Sequence, residues 1–485
     1  MHRTTLPITA LPAWAKLNDV DFLDTCVTDL GTSRTAAAKG FGITTSRSLS
    51  SRDVSDLPTL LIIPRDLVLS AEAVEEHAKA DQHFREVLER VGGRGLRDHA
   101  MLFLLMQMTI SNLEHKQNVG LSGPWTEYVK LLPGDIPVPT MWSEEERYML
   151  KGTSLEVAVS AKMEALQKEF DHLREKTEQI GWCQKCWWEN GNLRLSDWVL
   201  LDAWYRSRSL ELPHAGEAMV PGLDMANHSS ASNAYWEEVD KNVVLLLRPD
   251  LTLETGSEIT ISYGTEKSAA EMLFSYGFVD EATTVHSLVL PVPPFPDDPF
   301  GKAKVAAFGQ TPTVSFSRTD EKVEWKSPFL YLMCLNEEDG LDFKILQETD
   351  GSRSALRTFW QEKDVTGEVD QFETHIADHP LKAVFQLRVV ALLQDRIRQQ
   401  LECLYNNEQA VQTVGALISQ SRMNSVLLLR RSEMNILEAV FEDLDNQKNS
   451  LLEDESVLMY LGSMDVEEQQ PEEVEATNED EEDFS

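Results

Sequence analysis

The sequence has few cysteines for its length and no long apolar run. Five Cys, at 26, 183, 186, 334 and 403, are odd in number and scattered, which argues against a disulfide framework and for thiols kept reduced inside a cell. The longest apolar stretch, MLFLLM at 101–106, falls far short of the ~20 residues that span a bilayer. The amino-terminal MHRTTLPITALPAW lacks the apolar core of a signal peptide. A cytoplasmic or nuclear protein without a membrane partner is expected. Basic residues are scarce as well: 44 Lys and Arg stand against 81 Asp and Glu, a formal net charge of −37. Direct nucleic-acid binding is therefore not expected, because phosphate backbones are held by Lys and Arg that displace counterions. Basic protein partners suit this charge.

What is present can fill more than one core. With 485 residues, 42% of them hydrophobic and eleven Trp, the chain is expected to form two domains plus accessory segments. Apolar residues at Val74, Phe84, Leu88 and Val91, closed by Gly92 and Gly93, predict a helix over 70–91. β-rich runs stand at 58–64 (PTLLIIP), 243–248 (VVLLLR), 258–263 (EITISY) and 286–291 (HSLVLP). Strands and helices are mixed without the alternation of βαβ units, so the fold class is α+β. Beyond about 330 the apolar residues step by three and four, as in Leu393, Ile397, Leu401 and Leu404 and again in Met434, Leu437, Phe441 and Leu444, which predicts a separate helical domain. The Pro-rich 291–300 marks a boundary. The tail 465–485 has no basic residue and is expected to be disordered.

Several short stretches carry candidate chemistry, each with a plain alternative. Cys183 and Cys186 form a CxxC, but no second CxxC or Cys–His pair accompanies it, as a zinc site requires. The pair reads as structural thiols, a redox or metal role being the alternative, and no metal site is assigned. In KGFGI, Gly40 and Gly42 suit close backbone approach to a ligand, or simply a turn. Arg206 and Arg208 follow the Trp-rich DWVLLDAWY and read either as a site or as a solvated face. Period two puts Ile259, Ile261 and Tyr263 on one strand face, where Tyr263 is a site residue or an ordinary core tyrosine. The loop DMANHSS around Asn227 and His228 is dense in hydrogen-bonding groups.

In this order, KGFG, GPWTEYVKLLP with WSEEERYMLKGTSL at 123–155, RSR at 206–208, DMANHS, ISYG at 261–264 and YGFV at 276–279 resemble the SET-domain protein lysine methyltransferases, most of all the Rubisco large-subunit methyltransferase class. QSRMNSVLLLRRSEMNILEAV at 420–440 resembles the helical substrate-binding domain of that class. The resemblance implies a β-rich SET fold with a knot-like core at 20–290, after an extension at 1–19 and with a helical insertion at about 111–205. A linker at 291–329, an all-α C-terminal domain at 330–464 and the acidic tail would follow. It implies S-adenosylmethionine as cofactor, held by Gly40, Phe41, Gly42, Arg208, Asn227, His228 and Phe278. Tyr263 would be catalytic, and Tyr235 and Tyr276 would wall the substrate channel. Two departures stand out: Lys39 before the first glycine, and a long link at 46–58. The implied activity is methylation of lysine in a basic protein such as a ribosomal protein, translation factor or histone. A protein histidine methyltransferase and an idle SET domain serving as a protein-binding module are the alternatives.

Overall fold

A computed structural model of the chain describes residues 1, 3–31, 40–93, 95–112, 119–282, 285–319, 322–347, 353–415 and 419–468. Lys39 and the acidic residues beyond 468 lie outside these, while Asp465–Glu468, expected to open a disordered tail, continue the helix Glu455–Glu468. The chain divides into two compact units, the first made of Met1–His286 with Cys403–Glu433, the second of Ser287–Glu402 with the described residues from Met434 on.

The first unit contains twelve short strands among the described residues: β1 (Asp21–Phe22), β2 (Thr25–Asp29), β3 (Phe41–Thr45), β4 (Leu49–Ser50), β5 (Thr59–Pro64), β6 (Ser209–Leu212), β7 (Gly216–Met219), β8 (Asn227–His228), β9 (Ala234–Val239), β10 (Asn242–Leu247), β11 (Thr252–Leu253) and β12 (Glu258–Ile261). They form small sheets of order β1-β5-β10-β9 and β2-β3-β12-β8, a β4-β11 pair and the hairpin β6-β7. β8 runs parallel to β12, aligning Asn227 with Thr260 and His228 with Ile261, whereas the neighbouring β3–β12 and β2–β3 pairings are antiparallel. The link at 46–58 is partly ordered by β4, which pairs Ser50 with Thr252.

Between β5 and β6 the described residues form helices and no strand, starting at Ala71 rather than near 111. The expected helix over 70–91 is two helices, Ala71–Ala80 and Gln82–Val91. The break is Asp81, whose carboxylate accepts from His83 N and Phe84 N at 2.9 and 3.1 Å and so starts the second helix. Its apolar spacing continues across the break, which is why the periodicity concealed it. MLFLLM belongs to the helix Leu96–Asn112, buried at every position from Ala100 to Thr109. A helix apolar on all sides is a core helix, and among the described residues no helix is long and apolar enough to cross a membrane. Residues 1–19 join this core: the helix Leu11–Leu17 buries Leu11 and Trp14, and Trp14 packs 4.7 Å from the Tyr128 ring.

Residues 291–329, expected as a linker, hold the helix Gly301–Phe308 and the strands Thr313–Arg318 and Val323–Lys326. The C-terminal region is mostly helical, with the long helices Lys382–Gly415 and Gln420–Leu452. It also carries a three-stranded antiparallel sheet, Leu341–Gln347, Arg353–Trp360 and Lys363–Asp364, in the stretch expected to be all-α. Aromatic and β-branched residues here pair across strands, a preference that the stronger helical periodicity further along overshadowed.

Candidate active site

The helix Leu195–Arg208 faces the core with Trp198, Leu201 and Trp204, and this burial fixes where its last turn delivers two arginines. Arg206 is not a solvated residue. It joins Arg97 and Lys162 around the carboxylate of Asp202, at 3.1, 2.7 and 2.8 Å. Burial alone would raise the pKa of Asp202, but the three cations hold it below the usual carboxylate value. Arg208 turns the other way. Its Nη1 donates to Asp224 O and Oδ2 at 3.0 and 3.1 Å. Asp224 is itself fixed by the hydroxyl of Tyr128 and by Gly222 N at 3.0 Å. The Nε of Arg208 is buried and has no partner among the described residues, so half of a rigid guanidinium fork is left for an acceptor that these residues do not supply.

β12 ends at Ile261, and Tyr263 follows just beyond. Its hydroxyl donates to Ala226 O at 2.9 Å and its main-chain N–H donates to His228 Nδ1 at 3.0 Å. The ring lies 4.6 Å from that of Tyr276 and 5.3 Å from that of His228. Phe278 completes the cluster, 5.9 Å from His228 and 6.4 Å from both Tyr263 and Tyr276. Burial of the hydroxyl end pushes the pKa of Tyr263 well up and that of Tyr276 up to about 12, so both phenols stay neutral donors at physiological pH. Burial pushes His228 down, with Asp280 opposing that shift.

Asn227 bridges two strands: its Nδ2 donates to Glu258 Oε1 at 2.9 Å and to Phe41 O at 3.3 Å. The approach depends on glycine. A Cβ on Gly42 would stand 2.8 Å from Asn227 Nδ2 and 2.5 Å from Leu30 Cδ1, and Gly40 has φ +65°, a region that other residues adopt at a cost. Phe41 contributes its carbonyl to Asn227, while its side chain lines a separate cavity of about 570 Å³ with Leu6, Pro7 and Val27.

Arg208, Tyr263 and Tyr276 line one cavity of about 520 Å³, together with Trp236, Glu211 and Glu217. Tyr235 is not among its walls. It lies under the Arg248 guanidinium at 5.6 Å, because successive residues of β9 point to opposite faces and Trp236 takes the cavity side. AYWEEV offers adjacent aromatics, so sequence alone does not say which of them faces inward. Asp224, Trp236, Glu217 and Asp280 carried no signal beyond their neighbourhood in the chain. Cys183 packs within the apolar core, and burial pushes its thiol up, which suits the structural reading of the CxxC.

The residues present suit S-adenosylmethionine on one observation, the orphaned Nε of Arg208, which matches a ligand carboxylate; at Gly40 the positive φ disfavours a side chain and at Gly42 the contact with Asn227 and Leu30 leaves no room for one.

No family model matches the chain. It is 29% identical over 421 residues to SET domain-containing protein 8 of Schizosaccharomyces pombe, covering 84% of this chain and 90% of that protein. Over 236 residues it is 27% identical to the Rubisco large-subunit N-methyltransferase of Pisum sativum, 44% of this chain and 46% of the relative. A shorter likeness, 23% over 263 residues, joins it to the actin-histidine N-methyltransferase of Danio rerio, of which it covers 38%. Among solved structures, the SET domain of LSMT bound to lysine and AdoHcy superposes with a TM-score of 0.65 at 17% identity, covering 95% of this chain and 98% of that one. Rubisco LSMT bound to AdoMet gives 0.64, with 92% of each chain covered. The fold is that of the LSMT SET domain with its helical C-terminal region.

Proposed function

We propose that this SET-fold chain is an S-adenosylmethionine-dependent protein methyltransferase that acts on lysine side chains. The observation that carries the reading is Tyr263: a neutral, half-buried phenol anchored on Ala226 O, beside Tyr276, at a cavity shared with the half-used guanidinium of Arg208. The LSMT structures, which hold AdoMet or AdoHcy and lysine, support it by their fold. Arg208 would pair with the cofactor carboxylate. Asn227, with the Gly40–Gly42 backbone, would hold the amino acid end, and His228 and Phe278 would flank the adenosine. The cofactor supplies an electrophilic methyl group.

The protein's own task is to deliver a neutral amine in line with that group. A lysine of ordinary pKa near 10.4 is uncharged in only about one molecule in 2,500 at pH 7, a penalty of roughly 4.6 kcal/mol. Aromatic walls at Tyr263 and Tyr276 disfavour the ammonium by desolvation and lower that penalty. Because the Tyr263 hydroxyl spends its proton on Ala226 O, its oxygen lone pairs are free to accept from the amine N–H. The nitrogen lone pair is then oriented for displacement, a proximity effect rather than covalent catalysis. The proton shed by the ammonium leaves toward solvent at the cavity mouth, where Glu211 and Glu217 are exposed.

The substrate is read as a basic protein of the cytosol or nucleus, supported by the net charge of −37 and by these two carboxylates. The test is transfer of labelled methyl from S-adenosylmethionine into lysate of cells lacking the protein, with mass spectrometry of the labelled band. Labelled lysine is expected. Label on histidine would move the chain to the histidine class, and absence of cofactor binding by calorimetry would leave an idle protein-binding module.

A further inference from the structure

We propose that Asp280 is a positioning residue for Tyr263: it holds the His228 ring in the one tautomer and orientation that can accept the main-chain N–H of Tyr263. The inference rests on Tyr263 standing at the reacting atoms.

Asp280 follows the YGF stretch and is oriented before His228 is considered. Its Oδ1 accepts from Ala282 N at 2.9 Å. Its Oδ2 accepts from Ser230 N at 3.3 Å and from the Ser230 hydroxyl. The same Oδ2 lies 3.3 Å from His228 Nε2. One carboxylate therefore ties the loop after β8 to the segment that carries Tyr276 and Phe278.

The tautomer follows from the opposite edge of the ring. Nδ1 accepts the Tyr263 N–H, so it must carry the lone pair, and the proton of the neutral imidazole sits on Nε2. There it faces a carboxylate oxygen. The other tautomer would set N–H against N–H on one edge and a lone pair against the carboxylate on the other. A ring whose side chain is only 5% exposed has no water to relieve either clash.

The consequence falls on Tyr263 because β12 ends at Ile261. Past that point no strand ladder fixes its backbone, and the bond to His228 takes the place of one. This bond and the hydroxyl bond to Ala226 O fix both ends of the residue. Without Asp280 the ring of His228 can flip or change tautomer, which releases the main chain of Tyr263 and lets its hydroxyl drift from the line of transfer.

The test uses the full chain with Asp280→Ala and Asp280→Asn, the amide oxygen of Asn being able to accept from Nε2. Long-range proton–nitrogen NMR of histidine-labelled protein at pH 8, with His228 assigned by its loss in His228→Gln, should show Nε2–H in the wild type and in Asp280→Asn, and a mixture in Asp280→Ala. In methyl transfer, Asp280→Ala should lower kcat by roughly ten- to a hundredfold, the penalty expected for slight misplacement, while KM for the protein substrate holds. Asp280→Asn should recover most of the loss, whereas Asp280→Leu, which fills the space without offering an acceptor to Nε2, should not, and equal recovery in Asp280→Leu would leave Asp280 a packing residue only. An Nδ1–H tautomer in the wild type overturns the proposal, as does an unchanged kcat in Asp280→Ala or equal losses in Asp280→Ala and Asp280→Asn. Should Asp280→Ala fail to fold, the wild-type spectrum and Asp280→Asn decide. If the wild type transfers methyl to no acceptor, the methyltransferase reading fails, and the NMR arm still judges the hold on His228 by itself.

Discussion

The role proposed for Tyr263 requires its hydroxyl to remain a neutral donor, and burial, by raising its pKa, keeps it so. Tyr263→Phe removes the lone pairs offered to the amine and leaves Ala226 O without its donor. It should lower kcat by roughly ten- to a hundredfold while changing S-adenosylmethionine affinity little, since the contact matters most in the transition state. Full turnover in the Phe variant would end the assignment. Arg208→Ala should weaken S-adenosylmethionine binding by about 1.5–3 kcal/mol, the range for a hydrogen bond to a charged group, and calorimetry reads this directly. Arg206 is no control for it, because Arg206 belongs to the buried Asp202 cluster. Arg65, exposed and paired with Glu72, serves better. An unaltered dissociation constant in Arg208→Ala would leave the orphaned Nε without a role.

Elements of the first unit are held by contacts between residues far apart in the chain. The helix Ser154–Thr177 has Thr153 at its N-cap without a side-chain cap bond. Glu433, on the helix Gln420–Leu452, accepts instead from Ser154 N at 3.1 and 3.2 Å and from the Ser154 hydroxyl. Beside it Arg430 donates to Lys151 O at 2.6 Å and to Leu404 O. Burial pushes the Glu433 carboxyl up from 4.5 to about 7. The native state therefore holds a proton that the unfolded chain releases, and this contribution to stability is present below pH 4.5 and lost as pH rises through 7. Glu433→Gln keeps an acceptor and carries no charge, so it should be more stable than wild type by about 1–3 kcal/mol at pH 8 and by much less at pH 5. Urea unfolding at the two pH values measures the difference, and a gap that does not widen with pH contradicts the assignment.

Across the whole molecule the excess of negative charge favours encounter with cationic partners. Residues 469–485 carry eight acidic and no basic side chains. Their low apolar content gives them little to add to a core, so truncation after Glu468 should leave the melting temperature and the chemical step intact. A charged segment acts over about 8 Å at physiological salt, on encounter more than on docked contacts. If it recruits the substrate, its removal should raise KM at low salt and have little effect at high salt. If it screens out wrong partners, removal should speed methylation of unrelated basic peptides. Identical kinetics for both substrates at both salts would assign it neither part.

Legible in one dimension were the α+β class, the resemblance to SET proteins, the β-rich runs at 58–64, 243–248, 258–263 and 286–291, which form strands at 59–64, 242–247, 258–261 and 286–291, and the motif order that singled out Tyr263, Asn227, His228 and Arg208. These features rest on local periodicity or on short ordered motifs, which survive in one dimension. Tertiary structure decided the rest. Asp224 reaches Arg208 across sixteen residues, Asp280 reaches Ser230 across fifty, and Glu433 reaches Ser154 across 279. A carboxylate on a loop or helix looks solvated until the fold supplies its donors. The choice of Trp236 over Tyr235 turned on which face of β9 meets the cavity, and the membership of 403–433 in the first unit turned on which core its apolar stripe covers. Periodicity states that a face is buried; only packing states against what.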